Sequence, residues 1–470
     1  MKQSSFRKHM TGMLPCRIFL DGSHSCASGK NSGIERVVRS LLAECTNWCE
    51  EEGIPGPQLV THKSGRFFLV ERQLQRHFSN LAEIESNVRN RLPGWYRHVS
   101  NWICQGVGSV RLRKWLMPEA GHLGIFKLAH NLYDSSIRRT LPLYSRAVQP
   151  NANDLILLPD AYWTKREVWK AAASAREAGA TIVTVIYDLI PLTHPQYVGT
   201  KRMEGFRRYL HNAIEHSDMI VAISRTVQEE LDAYIHEHRS LFKRVPQRVK
   251  HFTLGAELNL VRGDVRQEVR VLFSEEAQAA QKNPYLMVAT FDPRKNHSYL
   301  LDAFDLLWRK RDDLRLCLIG RVGSLCEDVV QRIHRHPALN KQLFAYYDIK
   351  DAELQHCYRN CRGVIFPSIV EGFGLPIVES LWFGKRTFAS DTPIHREVGQ
   401  CDCVYFDLST PQSLSDEIER WEQLAESETT RLPTRRPTTW EESSRQLIAC
   451  CLDSHQEMRA AKQGVSANAA

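Results

Sequence analysis

Short apolar runs that alternate with amphipathic helices are the feature that most restricts the fold of this chain. The run CRIFLDGS (16–23) precedes a polar, glycine-containing loop, and GIERVVRSLLAEC then places its apolar residues at helical spacing. DLILLP (154–159) leads to a helical pattern over about 164–178, and TIVTVIYDLIPL follows at 181–192. MIVAIS (219–224) leads into the helical pattern RTVQEELDAYI. Buried strands that alternate with helices predict a parallel sheet.

A second series of the same kind follows a polar, charge-rich stretch at 261–283, which we interpret as an inter-domain connection. Its strand patterns are YLMVATF, LRLCLIG, LFAYYD, GVIFPS and RTFAS, and the helical pattern HSYLLDAFDLLW follows the first of them. We therefore expect an α/β protein with two Rossmann-like, doubly wound domains that face a cleft. Residues 1–268 would form the N-terminal domain, 269–428 the C-terminal domain, and 429–470 a linker and a helix that packs back on the N-terminal domain. Ligands of such folds bind at the carboxyl ends of the strands.

Charge and cysteine content exclude several classes of protein. The 470 residues carry 62 Lys and Arg against 54 Asp and Glu, a net charge of +8. This mild excess suits a phosphate-bearing ligand or an anionic membrane face, but not a dedicated nucleic-acid binder. The 13 cysteines include no CxxC pair, which disfavours a zinc site and indicates reduced thiols in a cytoplasmic protein. Arg17 interrupts the apolar part of the N-terminus, so no signal peptide is expected.

The stretch EGFGLPIVES carries the strongest functional signal. Glu371 falls on the loop after the buried run GVIFPS, and from Gly374 the pattern becomes helical, with Pro376 in its first turn. Backbone N–H groups of 372–375 would then face the cleft and favour anions or sugar oxygens. Glu371 and Glu379 can accept hydrogen bonds from hydroxyl groups, so a nucleotide sugar fits this pattern. The alternative is that Glu371 caps the helix and Glu379 lies on the surface.

At this point the sequence resembles a known family. The block FPSIVEGFGLPIVESLWFGK, with seven residues between its two glutamates, is similar to the signature of the retaining GT-B glycosyltransferases of family 4. That family includes bacterial lipopolysaccharide and capsule mannosyltransferases. The blocks ATFDPRKNHSYLLDAF, YDLIPLTHPQY and TPIHREVG resemble further parts of it. The order of elements agrees over most of 19–407 and is weak at 71–151.

The resemblance implies an activity. It implies transfer of a hexosyl group from a nucleotide sugar to a hydroxyl of a glycan or lipid-linked glycan in cell-surface polysaccharide synthesis, such as that of lipopolysaccharide O-antigen. Mannose from GDP-mannose is the first candidate donor, and rhamnose, glucose and N-acetylated sugars stay open. No nucleic acid is expected as a partner.

The resemblance also implies roles for single residues. Arg294 and Lys295 would neutralise the departing diphosphate, Glu371 would hold the donor sugar and Glu379 the ribose hydroxyls. The base would lie near 347–350. Further contacts to the donor would come from Ser368, Gly372, Phe373, Gly374, Leu375, Thr290 and Gly320. Without the resemblance, the PRKN stretch would be interpreted as a solvated charge cluster before a helix.

In the N-terminal domain the resemblance is less complete. Ser32, Gly33 and Tyr187 would lie on the acceptor side, and Asp188, at the end of a buried strand, is a catalytic candidate with a turn-capping role as its alternative. Many relatives carry His where this chain has Tyr187, and many carry Arg at the position of Thr290. The first departure leaves no obvious general base in this domain. Retaining transfer does not need one, because the leaving phosphate oxygen can accept the proton of the acceptor hydroxyl.

Two expectations concern what the chain binds besides the donor and acceptor. No metal is expected, since the chain has no Asp-x-Asp motif of the metal-dependent glycosyltransferases, and Arg294 with Lys295 would supply the positive charge. The segment 86–116 contains no acidic residue and mixes basic residues with Trp and Tyr, which suits docking on the anionic inner face of the cytoplasmic membrane. Its alternative is a solvated face with tryptophans in the core.

Other functions compete with glycosyl transfer. One is a nucleotide-sugar epimerase of GT-B fold, and another is a catalytically dead scaffold that binds nucleotide sugars. A dinucleotide-dependent oxidoreductase is disfavoured, because no GxGxxG motif follows a strand.

Overall fold

The structure is a computed structural model, and it describes residues 17–23, 33–51, 56–70, 145–160, 162–163, 167–258, 263–279, 282–323, 325–347, 349–423 and 435–467. Ser32 and the basic, aromatic segment 86–116 lie outside the described residues, and so do the expectations attached to them. Everything below refers to the described part of the chain.

The N-terminal domain is built on a parallel sheet with one antiparallel edge. Its strands are β1 (Arg17–Asp21), β2 (Gln58–Lys63), β3 (Arg66–Leu69), β4 (Asp154–Leu158), β5 (Thr181–Ile186), β6 (Met219–Ala222) and β7 (Arg248–His251). They lie in the order β3-β2-β1-β4-β5-β6-β7, with only β2 and β3 antiparallel among these neighbours. Every residue of β4, β5 and β6 is buried, because helices cover both faces.

The helices of this domain follow the strands in the expected order. They are α1 (Gly33–Glu51), α2 (Glu167–Glu177), α3 (Ile190–Thr193), α4 (Thr200–His216) and α5 (Arg225–Glu237). The apolar side of α1 packs on one face of the sheet, and α2 and α4 pack on the other. Two separate core clusters result, one on each side, as in a doubly wound fold.

The C-terminal domain repeats this architecture without an antiparallel strand. Its strands are β8 (Tyr285–Val288), β9 (Leu316–Ile319), β10 (Leu343–Tyr346), β11 (Gly363–Phe366), β12 (Thr387–Ser390) and β13 (Cys403–Phe406). Their order, β10-β9-β8-β11-β12-β13, is the 3-2-1-4-5-6 arrangement of dinucleotide-binding folds. The direction of winding reverses between β8 and β11, which is where such sheets bind ligands.

Helices surround this second sheet. They are α6 (Gln267–Leu272), α7 (Glu275–Ala279), α8 (His297–Trp308), α9 (Glu327–Arg335), α10 (Asp351–Asn360), α11 (Leu375–Trp382), α12 (Pro393–Gly399) and α13 (Pro411–Glu422). The expectation of two doubly wound domains that face a cleft is confirmed.

The chain crosses between the domains twice, at adjacent places. Ala256 belongs to the N-terminal core and Leu258 to the C-terminal one, so the first crossing lies between them. After α13 the chain returns, and the Ala256 N–H donates to the Thr438 carbonyl at 2.9 Å. Helix α14 (Trp440–Ala467) then packs against α1, with Leu447 in the N-terminal core.

Some elements differ from the sequence-based expectation. The stretch 261–283, which we interpreted as a connection, contains α6, and Val269 and Leu272 of α6 pack under the C-terminal sheet. Four strands were missed, namely β2, β3, β7 and β13. They are short and partly polar or half-buried, so their sequences lack a clear apolar run.

Candidate active site at the facing sheet edges

The loop after β11 connects the sheet to helix α11 and forms one wall of the cleft. Gly374 has a φ of 100°, a left-handed conformation that favours glycine, and α11 begins at Leu375 with Pro376 in its first turn. No side chain caps this helix. The interpretation of Glu371 as a helix cap is therefore wrong. The N-terminal end of α11 is left with its positive dipole end beside the loop.

Glu371 instead bonds to two cations. Its Oε2 accepts a hydrogen bond from Arg294 Nη1 at 2.7 Å, and its Oε1 accepts one from Lys295 Nζ. The Glu371 side chain is 8% exposed, and Lys295 is buried, with its ammonium 5.0 Å from the centre of the Phe366 ring. The interpretation of the PRKN stretch as a solvated charge cluster is therefore wrong.

A short 3-10 turn over Pro293–Lys295 places the two cations at the carboxyl end of β8. The Asp292 side chain accepts the N–H of Arg294 at 3.1 Å, which caps the turn. The Arg294 carbonyl accepts the N–H of Ile369 at 2.8 Å, and Arg294 Nη1 also donates to the Val370 carbonyl. These bonds tie the turn to the loop after β11, so the three charged groups are held by backbone contacts on two neighbouring strands.

Electrostatics keep Glu371 ionised at neutral pH. Burial alone would raise the pKa of Glu371, but Arg294 and Lys295 together lower it to about 2. Burial lowers the pKa of Lys295, and Glu371 offsets part of that effect. Glu371 is thus a carboxylate held between two cations in a site with little solvent.

Asp188 faces this cluster from the N-terminal domain. It follows the carboxyl end of β5, and its Oδ1 accepts the N–H of Ile190 at 3.1 Å, so the turn-capping role is present. Burial raises the pKa of Asp188, Arg294 opposes that rise, and Glu371 adds to it. These interactions place Asp188 within electrostatic reach of the pair across the cleft. Asp188 therefore caps the turn after β5 and also interacts electrostatically with the charged cluster.

Glu379 is a buried residue, 2% exposed, so its interpretation as a surface glutamate is wrong. It lies on α11, and its Oε2 accepts a hydrogen bond from the Tyr358 hydroxyl at 2.8 Å. Its Oε1 accepts one from Arg36 Nη2, which comes from α1 of the other domain. Both carboxylate oxygens thus carry a partner, one from each domain.

The remaining residues with an expected donor contact lie around the same loop. Ser368, directly after β11, is buried, and within the described structure its Oγ has no hydrogen-bond partner. Thr290 is exposed at the end of β8, and the N–H of Gly320 at the end of β9 donates to the Tyr346 carbonyl at 3.0 Å. Phe373 and Leu375 pack against the N-terminal core, so they join the domains.

The N-terminal side of the cleft differs from expectation in one respect. The Tyr187 hydroxyl donates to the Pro159 carbonyl at 2.6 Å, and burial raises its pKa well above the ordinary value. Its side chain therefore lies in the core, and only its carbonyl borders the cleft. Gly33 is exposed at the first position of α1, with open space around it.

Direct contacts between the domains close the cleft beside the site. An ideal Cβ on Gly372 would lie 2.0 Å from the Tyr187 carbonyl oxygen, so only glycine permits this approach. Ser224 Oγ donates to the Gly372 carbonyl at 2.9 Å. The Glu397 carboxylate on α12 accepts the backbone N–H groups of Arg225 and Thr226 at 2.7 and 2.8 Å, at the start of α5.

Sequence reasoning missed several residues of this site. Arg36, Ser224 and Glu397 act across the domain interface, which a single sequence does not reveal. Glu230 on α5 has a pKa raised to about 6 by burial and by Asp188. The TPIHREVG block contains Glu397, and it was the signal that could have pointed to that residue.

Comparison with known proteins agrees with this geometry. Residues 270–431 match the sequence profile of the family Glycosyl transferases group 1. The C-terminal domain is therefore similar to the glycosyltransferases of this family. The match covers β8 to β13, and thus Glu371, Glu379, Arg294 and Lys295. The expected resemblance to GT-B glycosyltransferases of bacterial polysaccharide synthesis is confirmed.

Two kinds of curated relative come from Escherichia coli. The serotype-specific mannosyltransferase WbdA is 32% identical over 279 residues, which cover 58% of this chain and 34% of WbdA. The O-antigen chain mannosyltransferase B is 26% identical over 275 residues, 57% of this chain and 68% of that protein. This chain spans about one third of the length of the WbdA proteins that it matches.

The fold agrees with that of a solved protein structure. Anabaena HepE, in complex with UDP and glucose, superposes with a TM-score of 0.50 at 14% identity, over 96% of this chain and 100% of HepE. In the described residues no helix is long and apolar enough to span a membrane. The same residues contain no group of three or more His, Cys, Asp or Glu side chains placed to hold a metal ion.

Proposed function

We propose that this glycosyltransferase is a retaining hexosyltransferase that transfers mannose from GDP-mannose to a hydroxyl of a glycan or lipid-linked glycan. The transfer would serve the synthesis of a cell-surface polysaccharide of the O-antigen kind. Its relatedness to mannosyltransferases of O-antigen synthesis supports mannose as the sugar. The polysaccharide itself is inferred from the same relatives.

The observation that carries the proposal is the carboxylate of Glu371 between Arg294 and Lys295 at the switch point of the C-terminal sheet. A guanidinium and an ammonium on one side suit the diphosphate of a nucleotide sugar, because its negative charge grows as it leaves. An ionised carboxylate beside them suits the sugar, where positive charge grows at the anomeric carbon. Asp188 faces the same place from the other domain.

The reaction follows from this arrangement. The bond between the anomeric carbon and the diphosphate oxygen breaks, and the leaving diphosphate retains the electron pair. The acceptor oxygen forms its bond to the same face of the sugar, and its proton passes to the departing phosphate oxygen. Arg294 and Lys295 each have N–H groups beyond those bonded to Glu371, so they can hold the diphosphate without releasing Glu371. The products are a nucleoside diphosphate and a glycoside with retained configuration.

The first test identifies the donor. We would measure thermal unfolding of the chain with GDP-mannose, GDP, UDP-glucose, UDP-N-acetylglucosamine and dTDP-rhamnose, because a ligand that binds only the folded state raises the melting temperature. GDP-mannose and GDP should give the largest rise. Incubation of the stabilising donor without an acceptor separates transfer from epimerisation, since only an epimerase changes the sugar under these conditions. Absence of stabilisation by every nucleotide sugar would contradict the proposal.

Two substitutions then separate the roles of the glutamates. Glu379→Ala should chiefly raise the KM for the donor, because a ribose contact exists equally in the ground state and the transition state. Glu371→Ala should lower kcat more than it raises KM, because its charge matters most as the sugar becomes positive. Glu422→Gln is a matched control, since the Glu422 side chain is 2% exposed, pairs with Arg362 and belongs to the same domain. Full activity of both alanine variants would contradict the assignment.

We also propose that the transfer requires no divalent metal, because Arg294 and Lys295 supply the positive charge at the diphosphate. EDTA should leave the initial rate unchanged. A loss of activity that magnesium or manganese restores would contradict this part of the proposal.

Membrane docking of residues 86–116 stays a proposal that concerns residues outside the described structure. Flotation with liposomes that contain an anionic lipid, at low and high salt, tests it. Binding that high salt weakens is expected, and no binding at low salt would contradict it.

A further inference from the structure

Arg36 and Glu379 form an ion pair between the two domains. Arg36 lies on α1 of the N-terminal domain, and its Nη2 bonds to Oε1 of Glu379 on α11 of the C-terminal domain. The Arg36 side chain is 24% exposed and that of Glu379 is 3% exposed. The Tyr358 hydroxyl covers the second carboxylate oxygen. A carboxylate so enclosed is out of reach of an incoming sugar hydroxyl.

The environment favours the charged form of the Arg36 guanidinium. Burial lowers the pKa of Arg36, but the nearby Glu379 more than offsets this and raises the pKa above its ordinary value. Burial and Glu379 both raise the pKa of Tyr358, so its hydroxyl stays a hydrogen-bond donor. Separation of Arg36 from Glu379 inside the closed protein would leave buried charges without partners, which is costly. The pair is therefore expected to separate only together with an opening of the domains.

Arg36 is also incompletely bonded. Its Nε is buried, and within the described structure it has no hydrogen-bond partner. A buried donor without an acceptor lowers stability, so this arrangement holds the guanidinium less firmly than a fully bonded one would.

We propose that Arg36 is a latch on the donor site. It bonds to Glu379 when no ligand is bound, and this bond must break before the ribose of the donor can bind to Glu379. This inference rests on the proposed function, since it takes Glu379 as the ribose contact. Donor affinity then includes the cost of opening, because a site that is accessible only part of the time binds with a reduced apparent affinity. The N-terminal domain thereby controls a contact that belongs to the C-terminal domain.

The experiment compares the chain with Arg36→Gln and with a matched control, Arg244→Gln. Arg244 is similarly half-buried and bonds to the buried Asp218, but that pair lies within the N-terminal domain, beside the amino end of β6. Calorimetry with GDP as the probe should give a Kd about tenfold lower for Arg36→Gln, within the usual range of coupling between sites. The control should bind GDP as the unchanged chain does. A weaker or equal affinity in Arg36→Gln would overturn the latch, and weaker binding would make Arg36 a contact to the bound nucleotide.

A second measurement needs no ligand. Hydrogen exchange of α11 should be faster in Arg36→Gln than in the unchanged chain, and unaffected in Arg244→Gln. Glu379→Gln should accelerate it by a similar factor, and the double variant should add little, because each change breaks the same bond. Unchanged exchange of α11, or effects that multiply fully in the double variant, would overturn the latch. If no variant binds GDP, the proposed donor site fails and the latch on it fails too, whereas GDP binding that Arg36→Gln leaves unchanged overturns the latch alone.

Discussion

Substitution of Glu371 by glutamine removes the carboxylate to which Arg294 and Lys295 bond, and the structure allows the effect on stability to be worked out. The pKa of this carboxyl falls from an ordinary value of 4.5 to about 2 on folding. A difference of about 2.5 units corresponds to about 3 kcal/mol of folding free energy at neutral pH. Removal of one partner from a buried ion pair typically costs about 3–5 kcal/mol, which agrees. We therefore expect Glu371→Gln to unfold with about 3 kcal/mol less free energy at pH 7.

The dependence on pH distinguishes this mechanism from a packing defect. A carboxyl whose pKa is lowered on folding stabilises the protein fully above its unfolded pKa, here 4.5, and the stabilisation is lost as pH falls through the folded pKa of about 2. The difference between the unchanged chain and Glu371→Gln should thus be constant above pH 5 and fall to roughly half by pH 3.

Urea unfolding at a series of pH values measures this difference. Glu422→Gln serves as the control, because the Glu422 side chain is 2% exposed and pairs with Arg362 and Tyr285 at the amino ends of β11 and β8, whereas the site lies at their carboxyl ends. It should lose stability as well, but keep its affinity for GDP. A difference below about 1 kcal/mol at pH 7, where the linkage predicts about 3, or one that does not change with pH, would refute the reasoning.

Three further predictions concern the domain interface and the N-terminal wall. Gly372→Ala would place a Cβ 2.0 Å from the Tyr187 carbonyl oxygen, so the domains must separate by more than about 1 Å. The loop after β11 should then exchange its amide hydrogens faster, and unchanged exchange would contradict this prediction. Glu397→Ala removes the acceptor for the Thr226 N–H and should lower the free energy of unfolding by about 1 kcal/mol, a loss that equal urea midpoints would disprove. Glu230 has a pKa raised to about 6, so its charged form destabilises the fold. Glu230→Gln should therefore raise the free energy of unfolding at pH 8 by about 1 kcal/mol, after allowance for solvent screening, and should not change it below pH 4.5. A gain in stability that persists below pH 4.5 would argue against this.

The fold was predictable because its central strands are apolar throughout. Runs such as those of β4 and β5 are buried on both faces, and a short apolar run between two helical patterns is typical of a central strand in a parallel sheet. The edge strand β7 was missed because it is Arg-Val-Lys-His, with no buried residue. Its position is decided by hydrogen bonds to β6, which composition does not encode.

The two glutamates of the site could be predicted because one short stretch of sequence contains both. The contacts between the domains could not be predicted in this way. Glu371 and Glu379 share one block, and the proximity of Lys295 followed from the resemblance. Arg36 contacts Glu379 across 343 positions of sequence, and only the closure of the two domains brings them together. Tyr187 was assigned by the resemblance to the cleft, but its hydroxyl bonds to the Pro159 carbonyl, because an aromatic ring at that point fits the core.

The two adjacent crossings make the C-terminal domain an insertion into the N-terminal one. Buried side chains of α14 such as Leu447 and Leu452 complete the N-terminal core, so a chain cut once between the domains would leave the apolar face of α1 and its sheet uncovered. Exchange of the C-terminal domain with that of a related protein therefore requires two junctions, near 257 and near 437, where the Ala256 N–H meets the Thr438 carbonyl. A chimaera joined at both places would keep α14 packed on the N-terminal core, whereas one joined at a single place would lose the layer formed by α14.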